Sequence, residues 1–145
     1  MKRTIAIASG YFNPLHVGHL RMMREAKQLG DLLIVIVNND RQQILKKGRM
    51  IIPEADRCEI VSGIRYVDRA ILSVDSDASV CMTLSEIRKE YPGDTLIFAN
   101  GGDRRDAGAI AEAQLCEALG IEIEFGVGGY DKADASSRII EAAGL

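Results

Sequence analysis

Residues 10–20 read G-Y-F-N-P-L-H-V-G-H-L, straight after the apolar run T-I-A-I-A-S at Thr4–Ser9. The chain has two histidines, and both fall in this stretch, His16 and His19, three residues apart. An apolar run that ends in glycine and gives way to helical spacing predicts a strand-to-helix junction. With the helix starting at Val17, His16 lies at its mouth and His19 one turn on, along the same side. A helix N-terminus offers unpaired backbone N–H groups and partial positive charge, a natural seat for phosphate. Gly18 lacks a side chain, so a bulky anion can approach the backbone closely. Gly10 and Pro14 shape the turn. Two imidazoles at such a mouth can donate hydrogen bonds to phosphate oxygens and carry positive charge beside them. That suits the charge that grows during phosphoryl or nucleotidyl transfer.

Outward from this junction, short apolar runs alternate with segments of helical period. Strands are expected at Thr4–Ser9, Leu32–Val37, Arg69–Val74, Thr95–Ala99 and Ile121–Phe125. The second, L-L-I-V-I-V, is apolar at consecutive positions, as a strand covered on both faces would be. Helices are expected at Val17–Leu29, Pro53–Arg65, Thr83–Tyr91 and Gly108–Leu119, with a last one starting near Asp134 or Ser136. Pro53 suits a first turn, and Gly120 a helix end. Strands joined by helical crossovers predict an α/β fold, a three-layer α/β/α sandwich on a parallel sheet. In such sheets the ligand crevice lies beyond the carboxyl ends of the strands. Residues 10–19, 100–105 and 126–138 should therefore gather on one edge.

The bulk properties set limits. A chain of 145 residues has room for one domain and one core. A formal net charge of −3 argues against a protein that coats nucleic acid. No apolar run approaches the roughly 20 residues a membrane helix needs. The start M-K-R-T-I-A-I-A-S reads as a first strand, not a signal peptide. Cys58, Cys81 and Cys116 are odd in number and irregular in spacing, which suits neither a disulfide framework nor a metal site. Reduced, mostly buried thiols in a cytoplasmic protein are expected.

G-x-F-x-P-x-H-x-G-H-L resembles the signature of the cytidylyltransferase-like nucleotidyltransferases, whose hallmark is H-x-G-H at this junction. Class I aminoacyl-tRNA synthetases share a related signature but are far longer and carry a K-M-S-K-S-type loop, which this chain lacks. Further pieces match in order. N-N-D-R-Q-Q-I-L-K-K-G-R is similar to the segment where the family places phosphate-binding lysines, here Lys46 or Lys47. R-C-E-I-V-S-G-I-R-Y-V-D resembles a family helix and strand entry, and implies that Arg57 reaches toward phosphate on the acceptor. A-N-G-G-D-R-R looks like the family's G-G-D, with Gly101, Gly102, Asp103 and Arg104 against the nucleotide. G-G-Y-D-K-A-D-A-S-S-R-I-I resembles its C-terminal phosphate motif, with Lys132, Ser136 and Ser137 on the β- and γ-phosphates. Two departures stand out: Asn13 where many relatives have Asp, and Arg138 where a small or polar residue is usual.

The resemblance implies a five-stranded Rossmann-like sheet in the order 3-2-1-4-5 and a single domain over residues 1–145. It implies an enzyme whose phosphorylated acceptor attacks the α-phosphorus of a nucleoside triphosphate and expels pyrophosphate. His16, His19 and Lys46 would be catalytic. Gly10, Tyr11, Phe12, Asn13, Gly18 and Lys47 would bind the nucleotide with the residues above. Mg²⁺ would arrive with the triphosphate, and no dedicated protein metal cage is expected. The expectation leans to CTP over ATP, with a phosphorylated sugar or polyol as acceptor. The alternative is an adenylyltransferase acting on nicotinamide or flavin mononucleotide, or on heptose phosphate. A homodimer would be ordinary for such an enzyme. From other classes, a catalytically silent nucleotide-binding module should have lost a histidine or the basic run, and neither is lost. A dinucleotide-binding oxidoreductase would want G-x-G-x-x-G after the first strand, which G-Y-F-N-P-L does not supply.

Overall fold

A computed structural model gives the fold and describes residues 2–99, 107–125 and 127. In chain order the elements are β1 (Thr4–Gly10), α1 (Val17–Lys27), β2 (Leu32–Val37), α2 (Asp40–Lys47), α3 (Glu54–Ser62), β3 (Arg69–Leu72), α4 (Cys81–Glu90), β4 (Thr95–Ala99), α5 (Ala107–Leu119) and β5 (Glu122–Glu124). All pairings are parallel, and the strand order is β3-β2-β1-β4-β5, as expected. The expected last helix lies outside the described residues. One helix, α2, occupies a segment read from the sequence only as a basic run.

Alternation along each strand sorts side chains onto two faces. Ile5, Ile7, Ile34, Ile36, Leu96 and Phe98 pack with Leu84 and Ile87 of α4 and Cys116 of α5. Ala6, Ala8, Leu33, Val35 and Val37 pack with Met23 and Ala26 of α1 and Val61 of α3. Helices therefore cover both faces, which is why β2 is apolar at every position. Each Val, Leu, Ile, Phe or Met side chain among them, withdrawn from water, contributes about 1.5–3 kcal/mol. The cysteines are unpaired, with Cys116 buried and the other two half-buried. Burial pushes the Cys116 thiol up to about 12, so it packs as a neutral apolar group.

Gly30, in the turn from α1 to β2, sits hard against β1. A Cβ there would lie 2.6 Å from the Thr4 carbonyl oxygen and 3.0 Å from the Ala6 nitrogen. Both are strand backbone and cannot swing aside. Gly30→Ala is expected to destabilise the fold by roughly 1–3 kcal/mol. The test is the urea midpoint, and an unchanged value would mean that β1 yields more easily than its sheet bonds suggest.

Carboxylates close the amino-terminal edge of the sheet. Asp31 accepts from Thr4 N–H at 2.9 Å, Asp68 from Leu33 N–H at 2.8 Å, and Asp94 from Arg3 N–H at 2.9 Å. Partial burial works to raise the Asp68 pKa, but Lys27 and the Leu33 N–H outweigh it and hold it below 3.8. The Arg3 backbone N–H holds Asp94 below the same ordinary value. The stability these groups contribute is full above pH 3.8 and drains away as pH falls through their lower folded values. Asp68 is exposed and Asp94 half-buried at the surface, so solvent screens both pairs and the effect is small and salt-sensitive. Asp68→Asn with Asp94→Asn should lower the urea midpoint near neutral pH and match wild type in strong acid. A gap that persists in acid would point to lost packing instead.

Candidate active site

Adjacent strands β1 and β4 send their crossovers to opposite sides, toward β2 and β5. The crevice of such a sheet opens at the carboxyl ends of that pair. Of the expected site residues, Gly101, Gly102, Asp103, Arg104, Lys132, Ser136 and Ser137 lie outside the described residues. Those that follow β1 are described. Beside them, the carboxyl ends of β2 and β3 are closed by a polar network that satisfies itself. Gln42 donates to the Asp77 and Ser79 carbonyls at 2.7 and 2.8 Å. Its side-chain oxygen accepts from Asn38 at 3.0 Å and from the Ser73 hydroxyl. Asn39 donates to the Ser73 and Asp75 carbonyls at 3.1 and 2.8 Å. That half of the edge is wall.

The two histidines cap α1. His16 is the N-cap residue, in extended backbone, and its Nδ1 accepts from Gly18 N–H at 3.1 Å. His19 returns the bond, its Nδ1 accepting from His16 N–H at 3.1 Å. This is a capping box, normally built from Ser or Thr and Glu or Gln. The rings stack at 3.9 Å between centroids, 30° apart. Because each Nδ1 accepts, each neutral ring carries its proton on Nε2. One backbone device thus fixes both tautomers and holds two Nε2–H donors side by side at a helix mouth.

The loop between β1 and α1 is held in one shape. Phe12 has φ 53°, a left-handed conformation uncommon for a residue with a side chain. Its ring is buried and meets His19 edge-on at 4.9 Å. Gly10 leaves room for it, since a Cβ there would come within 2.7 Å of the Phe12 ring. The Asn13 side-chain oxygen accepts from Ile51 and Ile52 N–H at 3.2 and 2.8 Å. Its amide nitrogen is buried with no hydrogen-bond partner. An Asp could make the same two contacts, so the loop tie survives the Asp-to-Asn departure.

Lys46 comes to this loop from across the chain. Its ammonium sits over the Tyr11 ring, 4.4 Å from the centroid. Lys47 is the last residue of α2. Arg57, expected to reach an acceptor, has a different place. Its side chain is 0% exposed. It donates to the Ile52, Tyr11 and Asn38 carbonyls at 2.8, 2.7 and 2.6 Å, and to the Asp40 carboxylate at 2.7 Å. Bonds spent on the chain's own backbone make it a clamp under the site. The structure brings together Gly10, Tyr11, Phe12, Asn13, His16, Gly18, His19 and Lys46, with Arg57 beneath them.

Comparison with known proteins follows the same lines. A family model described as cytidylyltransferase-like matches residues 7–114. The chain belongs to the cytidylyltransferase-like family of nucleotidyltransferases. An FAD synthase of Methanosphaerula palustris is 36% identical over 135 residues, 92% of this chain and 82% of that protein. The FAD synthase of Archaeoglobus fulgidus is 44% identical over 71 residues, so there the match spans 51% of the relative's length. A crystal structure of a lipopolysaccharide core biosynthesis protein from Thermoplasma volcanium superposes with a TM-score of 0.65 at 28% identity, covering 91% of this chain and 99% of that one. Among the described residues, no helix is long and apolar enough to cross a membrane.

Proposed function

We propose that this protein is an adenylyltransferase that joins the AMP moiety of ATP to flavin mononucleotide, giving FAD and pyrophosphate. The carrying observation is its 36% identity to an FAD synthase over 92% of the chain. The expectation of CTP with a sugar or polyol phosphate gives way to the adenylyltransferase alternative on this ground. A phosphate oxygen of the flavin mononucleotide attacks the α-phosphorus of ATP in line. A new P–O bond forms as the bond to the bridging oxygen breaks, and its electron pair leaves on pyrophosphate. The Nε2–H groups of His16 and His19 meet charge growing on the α-phosphate oxygens, with Gly18 leaving room. Lys46, or Lys47, offsets charge on the β- and γ-phosphates. The residues after β4, Gly101 to Arg104, line the nucleotide, and Lys132, Ser136 and Ser137 grip the terminal phosphates. Mg²⁺ enters as part of the MgATP substrate.

The test is direct. Purified protein with flavin mononucleotide, ATP and Mg²⁺ should release pyrophosphate and form FAD, separable from the substrate by chromatography. CTP with glycerol phosphate should give no coupled product. Turnover with CTP and a polyol or sugar phosphate, and none with ATP and flavin mononucleotide, would overturn this reading.

A further inference from the structure

The basic run and the histidine pair lie on separate elements, yet Lys46 stands at Tyr11. Something must hold α2 in register with the loop after β1. Arg57 touches both. At the start of α2 its guanidinium binds the Asn38 carbonyl at 2.6 Å and the Asp40 carboxylate at 2.7 Å. The same Nη1 that binds Asn38 also donates to the Tyr11 carbonyl at 2.7 Å. Beyond the end of α2 its Nε binds the Ile52 carbonyl at 2.8 Å. Ile52 N–H in turn donates to Asn13 at 2.8 Å. Both flanks of the helix that carries Lys46 are thereby tied to residues 11–13. Glu54 completes the joint by accepting from Asp40 N–H at 2.8 Å.

We infer that Arg57 is the positioning residue that sets Lys46 against the histidine pair, by pinning both flanks of α2 to the Tyr11–Asn13 loop. The inference rests on the reading of Lys46 and the histidines given above. Only a planar fork with several fixed donors reaches three carbonyls and a carboxylate at once; an ammonium does not. The side chain is fully enclosed, so water does not compete for these bonds. Transfer chemistry needs its charged groups held to within about 0.5 Å, which a loosely tethered helix would not give.

A merely structural role predicts lower stability and nothing else, so the test couples two readouts on the full chain. In Arg57→Lys, amide hydrogen exchange should rise together in residues 10–14 and 44–52, while β2 keeps its protection. ATP-dependent turnover should fall about tenfold or more, yet change by less than about twofold when Lys46 is already alanine, because the two act as one unit. Asp40→Ala removes one contact and leaves the three carbonyls bound; it carries the same measurements if Arg57→Lys does not fold. Unchanged exchange in either segment, or turnover losses that simply add, would overturn the inference. Wild-type protein that makes no FAD would sink the functional reading alone, and the exchange result would still decide the clamp.

Discussion

Replacing His16 with Asn and His19 with Gln is expected to leave the mouth of α1 folded and to cut nucleotidyl transfer by about 10²-fold or more. The protein contains its own control. Helix α2 opens with the same reciprocal box built from Asn39 and Gln42, where Asn39 accepts from Gln42 N–H at 2.9 Å and Gln42 accepts from Asn39 N–H at 3.1 Å. Asn and Gln therefore cap a helix in this fold as well as the histidines do. What they cannot supply is the ring Nε2–H that each histidine has beyond its capping atom. Alanine at either position would confound the two roles, since loss of an N-cap alone costs about 1 kcal/mol. The paired substitution separates them: the thermal midpoint should hold, ATP binding should weaken little, and turnover should fall. Wild-type turnover in the doubly substituted protein would show that the imidazoles only cap, and the catalytic assignment would fail.

The sequence made the sheet legible because its signals are local. L-L-I-V-I-V lies at Leu32–Val37 in both reading and structure, and T-L-I-F-A at Thr95–Ala99. The edge strands are shorter than read: β3 stops at Leu72, and β5 keeps only Glu122–Glu124. Among the described residues each pairs on one side alone, β3 with β2 and β5 with β4, so pairing gives out before the expected span does. Helix α2 has its signals in the sequence, under a dense basic run. Asn39-x-x-Gln42 is a capping box, and Gly48 closes the helix in the left-handed conformation at φ 76°. Its charged residues give little apolar period, so the caps are the only helix signal there. Arg57 was not legible at all. A helical arginine reads as exposed, and its burial depends on the Tyr11 and Asn38 carbonyls, contributed by segments distant in sequence, as well as on nearby Ile52. The pairing of Lys46 with Tyr11 is hidden for the same reason.

Arg57→Met is expected to lower stability by roughly 3–5 kcal/mol, the scale of breaking a buried ion pair by removing one partner. In a chain of this size that is a fall of roughly 10 °C or more in the thermal midpoint. The cost comes less from the lost charge attraction than from what is left behind. The Asp40 side chain is 29% exposed and can recover some water. The Tyr11 and Asn38 carbonyls lose the guanidinium they share, deep in the structure, and a thioether offers them nothing. Arg57→Lys keeps a charge for Asp40 and should cost less, though one ammonium cannot serve every acceptor. The order wild type, Lys, Met should hold in both the thermal midpoint and turnover. A Met variant as stable as wild type but slow would mean that burying the guanidinium costs about what its bonds return, and that Arg57 acts through placement alone. A Met variant equal to wild type in both would mean that the clamp does not exist.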